Sequence, residues 1–423
     1  MKQTDLVRAV LNGLMALSLS SCAATQPSLG MPNATTQNVS LRALSSASPI
    51  QHIVVLVQED RTYNDLFVTT KTGCEIVGTG KHAHAVKVAL KEVPLAGGKP
   101  LVDDYLAYTT AYNHGTGCGF NLINHEGLAP YKYVNPADIQ PYIKAAANYV
   151  LADHMFQTQG SGDFTAHQDL IRGGTEISQN ASIIDSPSST PWGCDAPPGT
   201  RTNLITTHRV YEQGKGPFPC LTYKTLADLL DAKSIFWRYY APSMPSFASN
   251  WNAFLAIKDV WENPRERKAH ISSPETNILR DISDGTLAPM SWVIPDLVNS
   301  DLPGTKGDTG PQWVSAVVNA IGESKYWNST AIIVVWDAWG GFYDPVPPPF
   351  NNQGGFGYRV PAIVIAPYAP QGEVSHTVYS FGSIVRFIED TWDLGRLGTT
   401  DESSISIGNV LDYHQTPRAF VSI

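Results

Sequence analysis

Residues 331–349 read AIIVVWDAWGGFYDPVPPP, and this stretch decides the fold. Its apolar run, residues 332–335, predicts a strand buried on both faces, as in the middle of a parallel α/β sheet. The strand leads into Asp337, and Gly340 and Gly341 then allow a tight turn. Because open α/β sheets place their ligand sites beyond the carboxyl ends of the strands, Asp337 is a candidate site residue. The alternative interpretation is a solvated carboxylate in a loop.

A second apolar run, residues 53–57, predicts another core strand that leads directly into Glu59 and Asp60. If the two strands are neighbours, their carboxyl ends bring Glu59, Asp60 and Asp337 together. Such a group of carboxylates is tolerated when a divalent cation binds it. The sequence therefore predicts a divalent-metal site, and calcium is one candidate because it prefers oxygen ligands.

Residues 159–171 read QGSGDFTAHQDLI, a glycine-rich loop followed by a periodic apolar segment. This order is typical of a loop that leads into a helix N-terminus. The free N–H groups and partial positive charge of such a terminus attract anions. Asp163 at this position is either a residue of the functional site or simply a helix cap.

The overall composition excludes one class of partner. The chain has 423 residues, of which 43% are hydrophobic and 16% charged, so it can bury one large core or two moderate ones. A net charge of −9 and a pI near 5.6 provide no basic surface for a phosphate backbone. We therefore expect a globular enzyme or binding protein with no nucleic-acid partner.

The N-terminus resembles a bacterial lipoprotein signal peptide. Lys2 and Arg8 precede an apolar stretch, residues 9–19, which is too short to span a bilayer, and a Leu-Ser-Ser-Cys sequence follows and ends at Cys22. We expect residues 1–22 to be the signal peptide, with Cys22 as the lipidated position. The alternative is a cytosolic protein with an apolar N-terminal helix.

The same interpretation divides the rest of the chain. Residues 23–48, rich in Ser, Thr, Ala and Pro, would form a flexible tether, and residues 49–423 would form the folded domain. The protein would be exported and anchored to a membrane by its lipid, facing the periplasm or the cell surface.

Four cysteines remain when Cys22 is set aside, and they allow three disulfide pairings. Cys194 and Cys220 flank an excursion rich in Pro and Gly, so we pair them, which leaves Cys74 with Cys118. Both bonds would persist in an oxidising compartment. No CxxC spacing occurs, so we expect no metal site built from cysteines.

Residues 175–300 contain much of the Pro, Ser, Asn and Trp and predict an irregular cap or inserted subdomain on the main sheet. Two core-like pieces lie within this region, at residues 233–240 and 290–296. Before it, residues 142–152 predict a helix.

Three segments resemble a known family: residues 52–67, residues 336–349, and the C-terminal part from Arg359 through His376 to Arg418. They are similar to the bacterial phosphoesterase family of phosphatidylcholine-hydrolysing phospholipases C and related acid phosphatases, in the alkaline-phosphatase-like superfamily. The resemblance implies an α/β fold, a three-layer α/β/α sandwich with a mainly parallel central sheet. It also implies hydrolysis of phosphate esters, including phospholipid-type substrates, by a hydroxyl nucleophile on a bound metal, through a covalent phospho-enzyme.

The resemblance assigns the metal ligands by position. Glu59 matches the first metal-ligand glutamate of the family, and Asp337 matches a metal-ligand aspartate. Asp60 and Asp344 complete the set of candidate metal ligands.

The candidate catalytic residues also follow from the resemblance. Asp163 stands at the position of the nucleophile, and Thr165 or Ser161 lies within two residues of it. His376 matches a histidine near the phosphate. We take as catalytic candidates Asp163, Thr165, His167 and His376.

Several positions depart from the family pattern. Asp163 replaces a Ser or Thr nucleophile, Asp60 replaces Asn, and histidines are usual where this chain has Asp103, Leu302 and Pro345. Ala338 stands where a second acidic residue is usual, and Thr116-Gly117-Cys118 stands where Lys-x-Asp is usual. Losing the hydroxyl removes the covalent route, and losing histidines removes proton donors. The added aspartates would repel a phosphate.

The sequence therefore predicts an exported phosphoesterase with altered or weakened activity. The alternative is a non-catalytic lipoprotein that binds a calcium-type metal and keeps the fold as a binding module. A carbohydrate or surface-adhesion module is a third interpretation, which draws only on the many Trp and Tyr residues.

Overall fold

The computed structural model describes residues 48–77, 85–305, 309–349 and 356–423. The predicted signal peptide, Cys22 and residues 23–47 of the predicted tether lie outside the described residues. In the part of the chain that is described, no helix combines the length and apolar character needed to cross a membrane.

The strands alternate with helices along much of the chain. In chain order the strands are β1 His52–Gln58, β2 Thr72–Val77, β3 Ala85–Ala89, β4 Lys91–Val93, β5 Lys132–Val134, β6 Val150–Ala152, β7 Glu176–Ser178, β8 Ala181–Ile184, β9 Asn203–Thr206, β10 Tyr211–Glu212, β11 Trp237–Tyr240, β12 Ile271–Ser272, β13 Met290–Val293, β14 Thr330–Trp336, β15 Ala362–Ile365 and β16 Val374–Ser375. The α-helices are α1 Tyr63–Leu66, α2 Tyr105–Tyr112, α3 Gln140–Asn148, α4 Asp163–Arg172, α5 Leu226–Ala232, α6 Lys258–Trp261, α7 Pro264–His270, α8 Asn277–Ser283, α9 Gly310–Gly322 and α10 Phe381–Trp392.

Within the described residues, eight strands form one sheet in the order β12-β11-β13-β1-β14-β15-β6-β16. The strand β15 runs antiparallel to both of its neighbours, and the other pairs are parallel. The helices α3, α8 and α9 form one packed group, and α4, α5 and α10 form another. The predicted α/β class, a mostly parallel sheet between two helical layers, is confirmed.

The strands β1 and β14 form the centre of the sheet. Residues 53–57 of β1 are fully buried, and all seven residues of β14 are buried. Continuous runs of Val and Ile suit this position because both faces of the strands are covered by helices. Gln58 lies opposite Trp336 in the parallel register. The residues that follow, Glu59 and Asp337, are therefore brought to the same edge.

Residues 175–300 divide between two parts of the fold. The strands β7 to β10 form a separate four-stranded antiparallel sheet, whereas β11, β12 and β13 belong to the main sheet. The helix predicted for residues 142–152 ends at Asn148, and Val150–Ala152 form strand β6 instead. The apolar run Val-Leu-Ala has no period that separates helix from strand, so its position in the sheet decides its conformation.

The structure pairs Cys74 with Cys118 and Cys194 with Cys220, which are the two pairings expected from the sequence. Cys74 lies on β2, and Cys118 lies beyond the end of α2. The second bond joins the short 3₁₀-helix Gly193–Asp195 to a loop at Cys220.

Candidate metal centre and active site

Glu59, His167 and Asp337 form a compact group at the carboxyl edge of β1 and β14. Nε2 of His167 lies 3.3 Å from Oε1 of Glu59 and 3.4 Å from Oδ2 of Asp337. These separations are longer than a good hydrogen bond. They match the spacing of about 3.3 Å between neighbouring ligands of a tetrahedral metal with bond lengths near 2.0–2.1 Å.

The three side chains of this group are buried, and burying charged carboxylates together without a cation costs free energy. Glu59 and Asp337 are fully buried, and His167 is 2% exposed. Burial and the negative charge of Asp163 raise the pKa of Glu59 well above its usual range, and burial and Glu59 do the same to the pKa of Asp337. Burial lowers the pKa of His167 to about 4, so the imidazole is neutral at pH 7 and suits metal ligation.

The hydrogen bonds leave oxygens free for a ligand. Oδ1 of Asp337 accepts hydrogen bonds from the backbone N–H of Asp60 and of Ala338, at 3.1 and 2.6 Å. Oδ2 of Asp337 and Oε1 of Glu59 are buried and accept no hydrogen bond from an N–H or hydroxyl group of the described residues. Two carboxyl oxygens and one neutral imidazole nitrogen that face each other fit a divalent cation, whose charge would favour the ionised form of both carboxyls.

A second group of carboxylates lies beside the first and consists of Asp60, Asp103 and Asp163. One oxygen from each lies within 4.8 Å of the others. Burial and the negative charges around them, with Asp163 the largest, raise the pKa of Asp60 and of Asp103 well above the usual range. Oδ2 of Asp163 accepts a hydrogen bond from Nε1 of Trp251 at 2.8 Å.

A cleft of about 370 Å³ opens onto this second group. Its described lining is Asp103, Asp104, Gly162, Asp163, Asp185, Ser186, Trp192, Asn203, Tyr211 and Phe247. None of these ten residues is Lys, Arg or His. The cleft is therefore strongly acidic at the place where an anionic substrate would have to dock.

The profile of the Phosphoesterase family matches residues 50–395, which covers most of the chain and both carboxylate groups. This chain belongs to the phosphoesterase family. A phosphoric ester hydrolase is accordingly the class of enzyme that its membership supports.

Two relatives in this family show how distant the similarity is. The non-hemolytic phospholipase C of Pseudomonas aeruginosa is 23% identical over 391 residues, which cover 80% of this chain and 53% of that protein. Non-specific phospholipase C4 of Arabidopsis thaliana is 25% identical over 232 residues, or 48% of this chain and 40% of that protein. This chain thus spans about half the length of the first and less than half of the second.

Among solved structures, a protein of the alkaline phosphatase superfamily from Vibrio parahaemolyticus is similar at 10% identity. The match covers 87% of this chain and 74% of that chain, with a TM-score of 0.38.

Within this phosphoesterase, Thr165 and Ser161 do not reach the cleft as free hydroxyls. Both are fully buried, and Oγ1 of Thr165 donates a hydrogen bond to Oγ of Ser161 at 2.7 Å. The Ser161 hydroxyl in turn contacts Oδ1 of Asp185 at 3.0 Å. The two candidate replacements for the nucleophile are held in this network, and neither lines the cleft.

Asp163 is the first residue of α4 and is not its cap. Gly162 occupies the cap position without a side-chain hydrogen bond, so the alternative of a helix cap does not describe this residue. Asp163 is also partly exposed and lines the cleft.

The structure does not place His376 with the metal group. Its side chain is 74% exposed, and Nδ1 lies 2.8 Å from Oδ2 of Asp153. The other oxygen of Asp153 contacts Nδ1 of His154 at 2.6 Å. His376 therefore belongs to a separate, partly exposed group with Asp153 and His154.

The assignment of Asp344 as a metal ligand is corrected by its hydrogen bonds. Oδ1 of Asp344 accepts from Nε of Arg359 at 2.9 Å, and Oδ2 accepts from Nη2 of the same guanidinium at 3.2 Å. The backbone N–H groups of Asn64 and Val346 also donate to this carboxylate. Its oxygens are thus already satisfied, and the side chain positions the Gly340–Pro349 turn instead.

Two features of the site are not evident from the sequence. His167 was expected to be catalytic, but its distances place it beside Glu59 and Asp337, the candidate metal ligands. Asp103 was recognised only as a substitution of a usual histidine, and the structure makes it a full member of the second group. The spacing of Asp163 and His167, one helical turn apart, is the signal that indicates a shared helix face.

Proposed function

We propose that this chain is an exported phosphoesterase that hydrolyses phosphate esters of the phospholipase C or acid phosphatase type, with weakened activity. The observation that carries the proposal is the group of Glu59, His167 and Asp337, in which buried oxygens face a neutral imidazole. Membership of the phosphoesterase family supports the reaction class.

The residues of the chain have distinct parts in this proposal. Glu59, His167 and Asp337 hold a divalent metal, which when bound polarises a phosphoryl oxygen as a Lewis acid. The start of α4, at Gly162 and Asp163, lines the adjoining cleft, and the free N–H groups of a helix N-terminus favour an anion. Asp163 offers a carboxylate instead of a hydroxyl, and an added negative charge opposes docking of the phosphate. We therefore expect slow turnover.

The proposal also covers the substrate of the protein and its location in the cell. The names of the relatives, phospholipases C, support a phosphate ester or phospholipid-type substrate. The sequence resemblance of residues 1–22 to a lipoprotein signal peptide supports export and a membrane anchor through Cys22. The two disulfides favour an oxidising compartment, the periplasm or the cell surface.

Hydrolysis of an aryl phosphate monoester and of an aryl phosphocholine ester tests the reaction. The protein is assayed with zinc, manganese or calcium, beside the variants Glu59→Gln and Asp337→Asn. We expect each variant to lose at least about 100-fold in kcat/KM, because the Lewis-acid contribution of the metal amounts to several kcal/mol.

The matched control for this assay is Asp195→Asn, which also replaces a carboxylate. Asp195 accepts a hydrogen bond from Nε1 of Trp261 at 2.8 Å, which Asn preserves, and it lies outside both carboxylate groups. The control is expected to retain full activity. Absence of turnover with every metal, in protein that is folded and has bound metal, would contradict the proposal.

A second candidate function is a non-catalytic module that binds a calcium-type metal. The acidic lining of the cleft and the buried hydroxyl of Thr165 favour it. This function predicts a rise in melting temperature with calcium and no hydrolysis of either ester. The same assay therefore separates the two candidates.

A further inference from the structure

Asp153, His154 and His376 form another set of metal-ligating side chains, near one end of the main sheet. Nδ1 of His154 lies 2.6 Å from one oxygen of Asp153, and Nδ1 of His376 lies 2.8 Å from the other. One nitrogen of each ring and one carboxylate oxygen all lie within 4.8 Å of one another. Two imidazoles thus converge on a single carboxylate, and the proposed hydrolysis assigns no role to any of the three side chains.

The pairing of two strands holds these residues together. Asp153 directly follows β6, and His376 directly follows β16. The two strands are parallel, in a register that sets Ala152 opposite Ser375, so the next residue of each strand is brought to the same place. The backbone N–H of Asp153 also donates to the carbonyl oxygen of Ser375 at 3.1 Å. The backbone that carries the three side chains is therefore fixed by the sheet.

The order of the strands separates this set from the group that follows β1 and β14. In the main sheet, β15 lies between β14 and β6, and β16 lies beyond β6. Because neighbouring strands are about 4.8 Å apart, β6 lies about 10 Å from β14 and β16 about 14 Å from it. Arg359 donates to the carbonyl oxygen of Asp153 at 2.9 Å, but Asp344 pairs with its charge, so Arg359 does not exclude a cation here.

We propose that Asp153, His154 and His376 bind a divalent metal ion of the zinc type. Two imidazoles and one carboxylate are ligands that zinc prefers, whereas calcium and magnesium prefer a shell made of oxygens. Neighbouring ligands of tetrahedral zinc are about 3.3 Å apart, so each ring has to move outwards by about 0.5 to 0.7 Å. The side chains of His376 and His154 are 74% and 31% exposed, which allows this movement and lets water complete the coordination.

The position of the site indicates a structural role for the metal. The strand β16 has only two residues and is the last strand of the sheet. A metal bound by His376 on one side and by Asp153 and His154 on the other ties this edge strand to β6. Zinc that binds the folded chain in this way raises its melting temperature. The binding does not depend on whether the chain hydrolyses phosphate esters.

Isothermal titration of the full chain with zinc tests the site, beside the variants His154→Asn and His376→Asn. The side-chain amide of Asn can donate to Asp153 in place of Nδ1–H, whereas its nitrogen has no free lone pair for a metal. Each variant therefore keeps a hydrogen bond and loses a ligand. We expect each to bind one zinc fewer than the unaltered chain, or to bind that zinc at least 10-fold more weakly, with an unchanged circular dichroism spectrum.

The matched control is His125→Asn, which removes another exposed histidine. His125 has a φ of 65°, a left-handed conformation that Asn tolerates, and this variant should change the number of bound zinc ions by none and their affinity less than twofold. Equal zinc binding by His376→Asn and the unaltered chain, or an equal loss in His125→Asn, would overturn the site.

One further comparison separates this zinc from a metal bound at Glu59. Glu59→Gln should still bind the zinc that His376→Asn removes, so the double variant Glu59→Gln/His376→Asn should bind one zinc fewer than Glu59→Gln alone. If the two bind the same number with the same affinity, the proposal is wrong. Lack of ester hydrolysis in any of these proteins would count against the proposed function and would leave the zinc counts unaffected.

Discussion

Among single residues, Gly340 shows how closely the site depends on the backbone. It has a φ of 58°, and a Cβ built on it would lie 2.3 Å from the carbonyl oxygen of Asp60. Gly340→Ala therefore has to displace the turn that carries Asp60, in addition to the cost of about 1–2 kcal/mol for a left-handed alanine. We expect it to lower the free energy of unfolding by at least about 1 kcal/mol more than Gly127→Ala does.

Gly127 is the matched control for this prediction, because its φ is 54° and no atom outside its two chain neighbours lies within 4 Å of a Cβ placed there. Urea unfolding of the two variants measures the difference. Equal losses of stability would show that the close approach at Gly340 has no effect beyond that of the positive φ.

The predictions for individual residues succeed or fail for a physical reason. Glu59 and Asp337 follow buried strands, and a parallel register brings such positions together, so the sequence predicts their meeting. Asp344 failed as a metal ligand because Arg359, which neutralises it, comes from a segment whose path the sequence does not define. For the same reason, the contact between His167 on α4 and Glu59 could not be predicted.

Among the secondary-structure elements, helix α10 contains a buried acid that makes stability depend on pH. Burial and the negative charge of Asp401 raise the pKa of Glu389 to about 8, against the opposing charge of Arg396. Between about pH 4.5 and pH 8 the folded chain holds this proton and the unfolded chain has released it. Unfolding therefore releases a proton, and the free energy of unfolding falls as pH rises across this window.

Glu389 changes the free energy of unfolding by at most about 1.4 kcal/mol per pH unit, and solvent screening reduces this slope. Glu389→Gln should remove it while keeping the hydrogen bond that Oε1 accepts from the N–H of Leu397 at 3.0 Å. Urea unfolding at pH 5.5 and pH 7.5 measures the effect. The variant should gain stability relative to the original protein at the higher pH, and a constant difference at both pH values would contradict the assignment.

A helix or strand could be predicted when its own run of apolar residues determines its conformation. The strands β1 and β14 are long apolar runs between polar residues, and their burial on both faces follows from that pattern. Residues 142–152 contain both the amphipathic α3 and the three-residue β6, which are joined at Tyr149. A short apolar run acquires strand geometry here from its partners β15 and β16, so its conformation is decided by tertiary pairing.

For the whole molecule, the sequence and the structure agree on the fold and diverge on the chemistry of the site. The sheet and its helical layers depend on many apolar residues, so individual substitutions do not obscure them. The site depends on a few polar side chains, and in this chain several of them depart from the family pattern. Which carboxylates lie together is therefore visible only in the three-dimensional structure.

The two disulfides provide a test of stability at the same scale. Cys74–Cys118 closes a loop with a sequence separation of 44, and Cys194–Cys220 closes one of 26. Loop-closure entropy then predicts stabilisation of about 4 and about 3.5 kcal/mol, respectively. The bonds lie in different parts of the chain and share no partner, so their contributions should be approximately additive. Urea unfolding measures the contribution of each bond in two double variants, Cys74→Ala/Cys118→Ala and Cys194→Ala/Cys220→Ala. The same measurement on the protein with a reductant gives the contribution of both bonds together. If reduction leaves the free energy of unfolding unchanged, neither bond stabilises the fold, and the argument that the chain is built for an oxidising compartment loses its support.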